Sequence, residues 1–355
     1  MAYQIKCFDK IAKCGLDALG EKYSFTDDIA QADVALVRSS SLHEANAGEK
    51  LFAVARAGAG VNNIPVDKFA EKGIVVFNTP GANANAVKEL VIAALLLASR
   101  DIIDGVNWVK TIESDISKTV EKGKKAFAGK EIAGKKLGVI GMGAIGVLVA
   151  NSAISLGMTV YGYDVSLSIE HALALKNNVV AVKSLDEMFA ECDYITVHVP
   201  LLDSTKYLFN ADAFAKMKDG VSIINFSRDL LVNDDDMRAA LASGKVHRYV
   251  TDFPNEKVRA MAGVIVVPHL GASTTESEDN CAVMAVTELM AYVSTGSIKN
   301  SVNFPELDAG SVGEGYRIAV LHKNVPNMIG QFTALLGKKG INIVNMANKS
   351  KGNNA

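Results

Sequence analysis

The 355-residue sequence has little cysteine, little proline and few aromatic residues: Cys 4, Pro 7 and 6% Phe, Trp and Tyr. Cys7, Cys14, Cys192 and Cys281 lie far apart, and no C-x-x-C pair occurs. This spacing argues against a disulfide framework and a redox motif, and it favours reduced, buried thiols in a cytoplasmic protein. We expect no metal site.

The sequence also lacks a charge excess and a long apolar run. The net charge is -2 and no basic stripe occurs, which argues against nucleic-acid binding. The longest uncharged apolar run, Leu90 to Ala98, is much shorter than the roughly 20 residues that cross a bilayer. Charges near the N-terminus occupy the place of the apolar core of a signal peptide. We therefore expect no membrane segment.

Hydrophobic residues make up 49% of the chain, and strand-like runs alternate with helical patterns. This alternation predicts an α/β fold with two doubly wound parallel sheets. One long helix is expected over 85–110, followed by an irregular lysine-rich stretch over 118–136. We predict a substrate-binding domain over 1–87, completed by a return helix over 271–304, and a nucleotide domain over 88–270. A strand–helix–strand unit is expected over 316–355.

A glycine-rich loop follows the first strand of the second series. Gly141, Gly143 and Gly146 have G-x-G-x-x-G spacing, and Asp164 ends the next strand. Such a loop brings backbone N–H groups and a helix N-terminus to a pyrophosphate, and the acid accepts hydrogen bonds from ribose hydroxyls. The residues after Asp164 include no arginine for a 2′-phosphate, which favours NAD over NADP. This pattern predicts a Rossmann domain with Ala144 and Ile145 also at the cofactor.

Other polar residues follow strands of the same series. Arg228 carries a planar fork suited to a carboxylate, and His269 titrates near neutral pH and can serve as general acid and base. Asp252 and Glu256 follow a strand, and a neighbouring carboxylate raises the pKa of a histidine and orients its ring. Arg228, Glu256 and His269 form our predicted catalytic set.

The chain resembles the NAD-dependent D-2-hydroxyacid dehydrogenases from about Asp33 to its end. The resemblance rests on "RAGAGVNNI", "VVFNTPGANANAVKELV", "GKKLGVIGMGAIG", "HVPLLDSTKYLFN", "NFSRDLLV", "VTDFP" and "VPHLGAST". It implies Arg228 as carboxylate clamp, Glu256 as partner of His269, and Asp252 as partner of the nicotinamide amide. The resemblance also implies cofactor contacts at His198, Pro200, Thr205 and Ser227. A purely structural role for His198 is an equal alternative.

Within the family, the closest resemblance is to enzymes that oxidise D-3-phosphoglycerate at the first step of serine synthesis. Arg38 and Arg56 follow apolar strands and would bind the anionic groups of that substrate in a cleft between two lobes. The predicted substrate residues are Arg38, Arg56, Ala57, Gly58, Asn83, Arg228 and His269. A surface ion pair is the alternative for Arg38.

Three positions depart from the family pattern. Asp229 stands where glycine usually follows the clamp arginine, and Ala144 stands where a bulky or basic residue is common. The segment from Asp252 to Glu256 is one residue shorter than in many members. A negative charge at Asp229 would weaken anion binding unless it points away.

The predicted architecture has three parts: a flavodoxin-like substrate lobe, a Rossmann lobe and a C-terminal segment. The C-terminal segment resembles the first half of an ACT regulatory domain. The matching effector positions are His322, Asn324 and Asn342. Because an ACT sheet needs about as many residues again, we expect a truncated chain or a partner that completes the sheet. Serine inhibition is then expected to be weak or absent.

Two alternatives remain open. One is another D-2-hydroxyacid dehydrogenase, such as a glyoxylate or hydroxypyruvate reductase. The other is a non-catalytic, NAD-sensing corepressor on the same scaffold. The family resemblance implies a homodimer, formed through the nucleotide domain, or a higher homo-oligomer.

Overall fold

A computed structural model describes residues 2–176, 178–308 and 310–355. The chain packs as two units, which we call the terminal unit (Met1–Asn83 with Thr275–Ala355) and the central unit (Ala84–Thr274). Each unit has its own parallel sheet with a hydrophobic core on both faces. The α/β class with two parallel sheets is confirmed, whereas the predicted domain limits stay predictions.

The terminal unit contains a five-stranded sheet in the order β2-β1-β3-β4-β5. The strands are β1 (Tyr3–Cys7), β2 (Tyr23–Phe25), β3 (Val34–Val37), β4 (Ala53–Arg56) and β5 (Val75–Phe77). Its helices are α1 (Lys13–Leu16), α2 (Val66–Glu71), α11 (Thr275–Thr295) and α12 (Met328–Lys338). The strand order is that of flavodoxin-like folds. Sequence patterns miss β2, because this three-residue edge strand is defined by its pairing with β1.

The central unit contains a seven-stranded sheet in the order β12-β11-β10-β9-β6-β7-β8. The strands are β6 (Lys136–Ile140), β7 (Thr159–Tyr163), β8 (Val179–Ala181), β9 (Tyr194–Val197), β10 (Val221–Asn225), β11 (Val246–Thr251) and β12 (Val264–Val266). The helices are α3 (Ala84–Ser99), α4 (Ile102–Val109), α5 (Ile116–Gly123), α6 (Ala144–Ser155), α7 (Ile169–Ala174), α8 (Leu185–Glu191), α9 (Ala211–Lys216) and α10 (Asp234–Ala242). The strand order reverses between β6 and β9, where dinucleotides bind in this architecture.

The long helix predicted over 85–110 is two helices, α3 and α4. The break falls at Asp101, whose carboxylate accepts a hydrogen bond from Arg248 of β11 at 2.6 Å. The stretch over 118–136, predicted as irregular, contributes most of α5 and a short 3-10 helix over Lys124–Phe127. Phe127 of the 3-10 helix packs on Trp108 of α4, with ring centroids 5.1 Å apart, and so holds this stretch against α4.

The predicted strand–helix–strand unit at the C-terminus is not formed. Its helix is present as α12, but the structure assigns no strand to any described residue of 316–355. Tyr316, Ile318 and Val344 leave most of their side chains in solvent. Two strands and one helix bury too little apolar surface to hold a sheet without further strands.

Cys192 and Cys281 are buried as predicted, whereas Cys14 is exposed and Cys7 half-buried. In the described part of the chain, no helix combines the length and apolarity needed to cross a membrane.

Candidate active site

The glycine loop joins β6 to α6, and its three glycines differ in the space around them. Gly141 has φ +90°, and a Cβ atom there would lie 2.6 Å from the carbonyl oxygen of His198. A Cβ at Gly146 would collide with the carbonyl oxygen of Gly141. A Cβ at Gly143 would meet no atom within 4 Å. The protein itself therefore requires two of the glycines, while Gly143 borders space that a ligand can use.

Helix α6 points its N-terminus at this open space. Gly143 is the N-cap residue, and no side chain caps the helix. The first N–H groups of an α-helix, here beginning with Ala144 and Ile145, have no partner within the helix and lie at the positive end of its dipole. The arrangement suits a pyrophosphate.

Asp164 follows β7 and holds the glycine loop from the other side. Its carboxylate accepts hydrogen bonds from the backbone N–H groups of Met142 and Ser166, both at 2.7 Å. Each oxygen keeps a second lone pair for a further donor, such as a ribose hydroxyl.

His198 follows β9 and is half-buried, with its Nδ1 shielded from solvent. Its Nε2 lies 3.1 Å from the hydroxyl of Thr196, and its Nδ1 is buried with no partner among the described residues. Burial lowers the pKa of His198 to about 3. The ring is thus a hydrogen-bonding group at neutral pH and does not carry a proton for catalysis.

The loops after β9 and β10 are tied to each other. Thr205 donates a hydrogen bond from its hydroxyl to the carbonyl of Pro200 at 2.7 Å. Ser227 donates from its hydroxyl to the carbonyl of Val199 at 2.6 Å. Both side chains fix the loops that follow the sheet at its carboxyl edge.

Arg228 follows β10 with an exposed side chain. Its guanidinium donates to the carbonyl of Ser227 at 2.6 Å, and its own carbonyl accepts from the buried amide of Asn225 at 2.8 Å. Asn225 also caps the N–H of Ser227. The sequence reasoning missed Asn225, although "NFSR" places it at the strand end, three residues before the arginine.

Asp252 is the buried carboxylate of the site, with 1% of its surface exposed. Its Oδ2 accepts from the N–H of Gly271 at 3.2 Å, and its Oδ1 is buried with no partner in the described chain. Burial raises the pKa of Asp252, and the charges of His269 and Arg228 act in the opposite direction. The structure thus brings Asp252 within electrostatic reach of both groups.

His269 lies on the loop after β12 with an exposed ring. The ring meets Phe253 edge to face, with centroids 5.0 Å apart. Glu256, the predicted partner of His269, is exposed on the loop after β11, and across the described residues no hydrogen bond joins the two. Their pairing stays a prediction.

In the terminal unit, Arg56 is the last residue of β4, and Arg38 directly follows β3. Arg56 donates from Nε to the carbonyl of Arg38 at 3.1 Å, and its guanidinium lies against Gly58, whose φ of +153° suits glycine. Ala57 is buried, and Asn83 is half-buried at the end of this segment. The guanidinium of Arg38 forms an ion pair with Glu278 at 2.6 Å. Arg38 therefore adopts the alternative role considered for it, that of an ion-pair partner.

Asp9 organises the Arg38 loop and was missed by the sequence reasoning. Its carboxylate accepts from the backbone N–H groups of Arg38, Ser39 and Ser40. Burial raises the pKa of Asp9, but these hydrogen bonds outweigh it and hold the pKa below its ordinary value. The signal available in the sequence is an acid two residues after the end of β1.

Among the described residues, Asp229 and the three predicted effector positions form no hydrogen bond or ion pair with the predicted catalytic residues. Asp229 is exposed, accepts from the N–H of Leu230 at 2.8 Å, and lines a cavity of about 150 Å³. His322 contacts Lys323 and Asn348, and Asn324 donates to the carbonyl of Gly352. Asn342 is exposed. These neighbours leave the assignment of an effector site a prediction.

Within the described ranges, no cluster of three or more His, Cys, Asp or Glu could hold a metal ion.

Comparisons with known proteins show which family the chain is similar to. Residues 92–271 match the family model described as D-isomer specific 2-hydroxyacid dehydrogenase, NAD binding domain. The chain is 36% identical over 286 residues to a hydroxypyruvate reductase of Thermotoga maritima, covering 76% of this chain and 87% of that protein. It is 35% identical over 308 residues to a D-3-phosphoglycerate dehydrogenase of Haemophilus influenzae, covering 84% of this chain and 72% of that protein. The structure of an NAD-bound 3-phosphoglycerate dehydrogenase from Entamoeba histolytica aligns with a TM-score of 0.68 at 25% identity, covering 85% of this chain and 99% of that one.

Proposed function

Since the chain belongs to the D-isomer specific 2-hydroxyacid dehydrogenase family, an oxidoreductase family with an NAD-binding domain, we propose that it oxidises D-3-phosphoglycerate to 3-phosphohydroxypyruvate. The reaction would serve the first step of serine synthesis. The observation that carries the proposal is the buried, unpartnered Oδ1 of Asp252 among the described residues. Asp252 lies at the carboxyl edge of the central sheet, where Arg228 and His269 also follow strands.

The residues of the central unit suit NAD. The open space beside Gly143 and the uncapped N-terminus of α6 would take the pyrophosphate. Asp164 would accept from the adenosine ribose, and the unpartnered Oδ1 of Asp252 would accept from the nicotinamide amide. His198 offers a second unpartnered acceptor or donor. NAD, when bound, supplies the hydride acceptor.

The chain's own residues would handle the proton and the anion. His269 would take the hydroxyl proton of the substrate, since an imidazole is partly unprotonated at neutral pH. The negative charge of Asp252 would stabilise the imidazolium that forms. Arg228, exposed and held at its backbone by Asn225, would bind the substrate carboxylate through its fork. Glu256 would approach His269 in the working enzyme.

The phosphate of the substrate would be bound by Arg56 and Arg38, with the N–H groups around Gly58. The similarity to the Haemophilus influenzae D-3-phosphoglycerate dehydrogenase supports this choice. The ion pair between Arg38 and Glu278 favours a second candidate, the reduction of hydroxypyruvate or glyoxylate, because a neutralised arginine attracts a phosphate less. The similarity to the Thermotoga maritima hydroxypyruvate reductase also fits this candidate.

A substrate panel decides between the candidates. NADH absorbance is followed with D-3-phosphoglycerate, D-glycerate and D-lactate, and in reverse with hydroxypyruvate and glyoxylate. We expect the highest kcat/KM with D-3-phosphoglycerate. A preference for glyoxylate or hydroxypyruvate would support the second candidate, and inactivity on every substrate would support a corepressor.

The role of His269 is tested by substitution. His269→Ala should lower kcat by about 100-fold or more, because general acid–base catalysis contributes about that much. The affinity for NAD, measured by calorimetry, should not change. His171→Ala, on an exposed helix of the central unit, is the matched control. Wild-type turnover in the His269 variant would refute the assignment.

We also propose a homodimer formed through the central unit. Ile102, Val106 and Val109 of α4 and Ile116 of α5 expose 41–51% of their surface. Apolar patches of this kind are typical of interfaces. Sedimentation equilibrium should give twice the chain mass of 37.7 kDa, and a monomer at micromolar concentration would contradict the proposal.

A further inference from the structure

A buried carboxyl group in the terminal unit lies outside the proposed catalytic set. Glu288 is on α11 and has 6% of its surface exposed. Its Oε1 accepts a hydrogen bond from the side-chain amide of Asn300 at 2.6 Å. Its Oε2 is buried and, within the described residues, has no partner. A half-satisfied acid in such surroundings is costly to keep, so its role needs an explanation.

Asn300 connects Glu288 to the segment that ends β5. Its φ of +56° is unusual for a residue other than glycine. Its carbonyl accepts from the backbone N–H of Asn78 at 3.3 Å. The side-chain amide of Asn78 in turn donates to the carbonyl of Ala59 at 2.6 Å. An unbroken series of hydrogen bonds thus runs from Glu288 through Asn300 and Asn78 to the loop over 57–59.

The same segment is anchored to β5 from its other side. Val302 donates to the carbonyl of Val76 at 2.9 Å, and the side chain of Asn303 bonds both Val76 and Ile74. The backbone beyond Asn300 is therefore fixed, and Asn300 itself is held in place by Glu288. Loss of the hydrogen bond between Glu288 and Asn300 would therefore change the position of Asn78 more than that of the rest of the sheet.

The charge that acts on Glu288 is that of Lys299, which favours the ionised form. The elements packed against α11 are α1, β3, β4 and β5. The titratable side chains of these elements and of the neighbouring turns of α11 are Lys13, Cys14, Arg56, Cys281 and Tyr292. Burial outweighs Asn300 and Lys299 and raises the pKa of Glu288 to about 7.

We propose that Glu288 is a positioning residue: through Asn300 and Asn78 it holds the loop over 57–59 in the shape that binds the anionic substrate, and its ionisation releases that loop. The proposal rests on the proposed function, which assigns Ala57 and Gly58 to substrate binding. Proton loss places a charge in apolar surroundings with one hydrogen bond. Water entry then relieves the charge and separates Glu288 from Asn300. The result is a rise of the substrate KM above neutral pH with little change in kcat.

Glu288→Gln tests the titration. Glutamine keeps an oxygen that accepts from Asn300, and it stays neutral at every pH. The substrate KM of the wild type should rise about threefold or more between pH 6.5 and 8.5 beyond that of the variant, while kcat and the KM for NAD stay equal. Glu276→Gln, exposed on the first turn of α11, should keep the wild-type profile. Identical profiles for wild type and Glu288→Gln would overturn the proposal.

Asn300→Gly tests the connection. Glycine adopts the left-handed backbone without strain but removes the amide that binds Glu288. Its substrate KM should be raised at pH 6.5 as well as at pH 8.5, and an unchanged KM in the folded variant would contradict the proposal.

Hydrogen exchange separates this proposal from the proposed function. The amides of Asn78 and Thr79 donate to Asn300 and Gly58. After correction for intrinsic exchange rates, their protection should fall above pH 7 in the wild type and not in Glu288→Gln. This result is independent of any substrate. Unchanged protection in the wild type would refute the positioning role, whereas inactivity on all hydroxy acids would refute the proposed function alone.

Discussion

At the scale of single residues, the ion pair of Arg38 with Glu278 bears on whether Arg38 can bind a phosphate. Arg38 follows a buried strand and lies beside Arg56, as a substrate residue would. Its guanidinium, however, is paired with Glu278, and its backbone N–H is capped by Asp9. A phosphate that binds Arg38 must therefore displace a carboxylate. Because both side chains of the ion pair are about 40% exposed, the pair contributes little, about 0–1 kcal/mol.

Removing the competing charge should favour the phosphorylated substrate. We expect Glu278→Gln to lower the KM for D-3-phosphoglycerate by about two- to fivefold, with a smaller effect on D-glycerate. The measurement is the ratio of kcat/KM for the two substrates at low ionic strength. Glu276→Gln serves as the control on the same helix turn. A ratio equal to that of the wild type would show that Arg38 does not bind the phosphate.

At the scale of elements, the glycines between β6 and the first turn of α6 have two different roles: one allows close packing of the backbone, and another leaves room for a ligand. Position 146 must be glycine because a Cβ atom there would collide with the carbonyl oxygen of Gly141, whereas the space beside Gly143 is open. Gly146 lets the helix approach the strand, and Gly143 lets a ligand approach the loop. The two positions should therefore respond differently to the same added methyl group.

Alanine substitution distinguishes these roles. Gly146→Ala should destabilise the central unit by about 2 kcal/mol or more, because backbone atoms must shift. Gly143→Ala should leave the melting temperature within about 2 °C of the wild type but weaken NAD binding about tenfold. Thermal unfolding and calorimetric titration with NAD measure the two effects. Equal destabilisation by both substitutions would contradict this division of roles.

The C-terminal helix α12 exists without the strands predicted on either side. Among the described residues, the segments on either side of α12 form no strand. We expect serine at millimolar concentration to change the rate of NADH formation by less than about twofold. Leucine at equal concentration controls for nonspecific effects. Sharp inhibition at micromolar serine would contradict the expectation.

At the scale of the molecule, two buried groups make stability depend on pH in opposite senses. His198 in the central unit has a pKa lowered to about 3, so its folded state binds fewer protons than the unfolded chain at acid pH. Glu288 in the terminal unit has a pKa raised from 4.5 to about 7. Its contribution to stability is fully present below about pH 4.5 and is lost as the pH rises through 7.

Glu288→Gln should therefore flatten the pH dependence of unfolding on the alkaline side. We expect the free energy of unfolding of the wild type to fall by about 1–3 kcal/mol more than that of the variant between pH 5 and pH 8.5. Urea unfolding followed by circular dichroism provides the values. The difference between the two proteins cancels the contribution of His198. Parallel curves would show that Glu288 titrates near its ordinary value in the fold.

Much of this architecture could be predicted from local pattern. Alternating apolar strands and helices determine two parallel sheets, and the glycine spacing with Asp164 marks the cofactor loop. Arg228, Asp252 and His269 could be predicted to lie at one edge of the sheet because the carboxyl ends of parallel strands meet there; their roles stay predictions. These inferences depend on neighbours in sequence or on the general geometry of parallel sheets, and such information is present in the chain itself.

Only the tertiary structure decided which charges are neighbours. The pairing of Arg38 with Glu278 joins residues 240 positions apart, and Asp101, between α3 and α4, pairs with Arg248, 147 positions away. Burial of Glu288 against Asn300 likewise requires α11 to pack on the first sheet. Side-chain ionisation and ion pairing depend on solvent exclusion and on distances of a few ångströms. Such distances exist only after distant segments have packed together, so no local pattern encodes them.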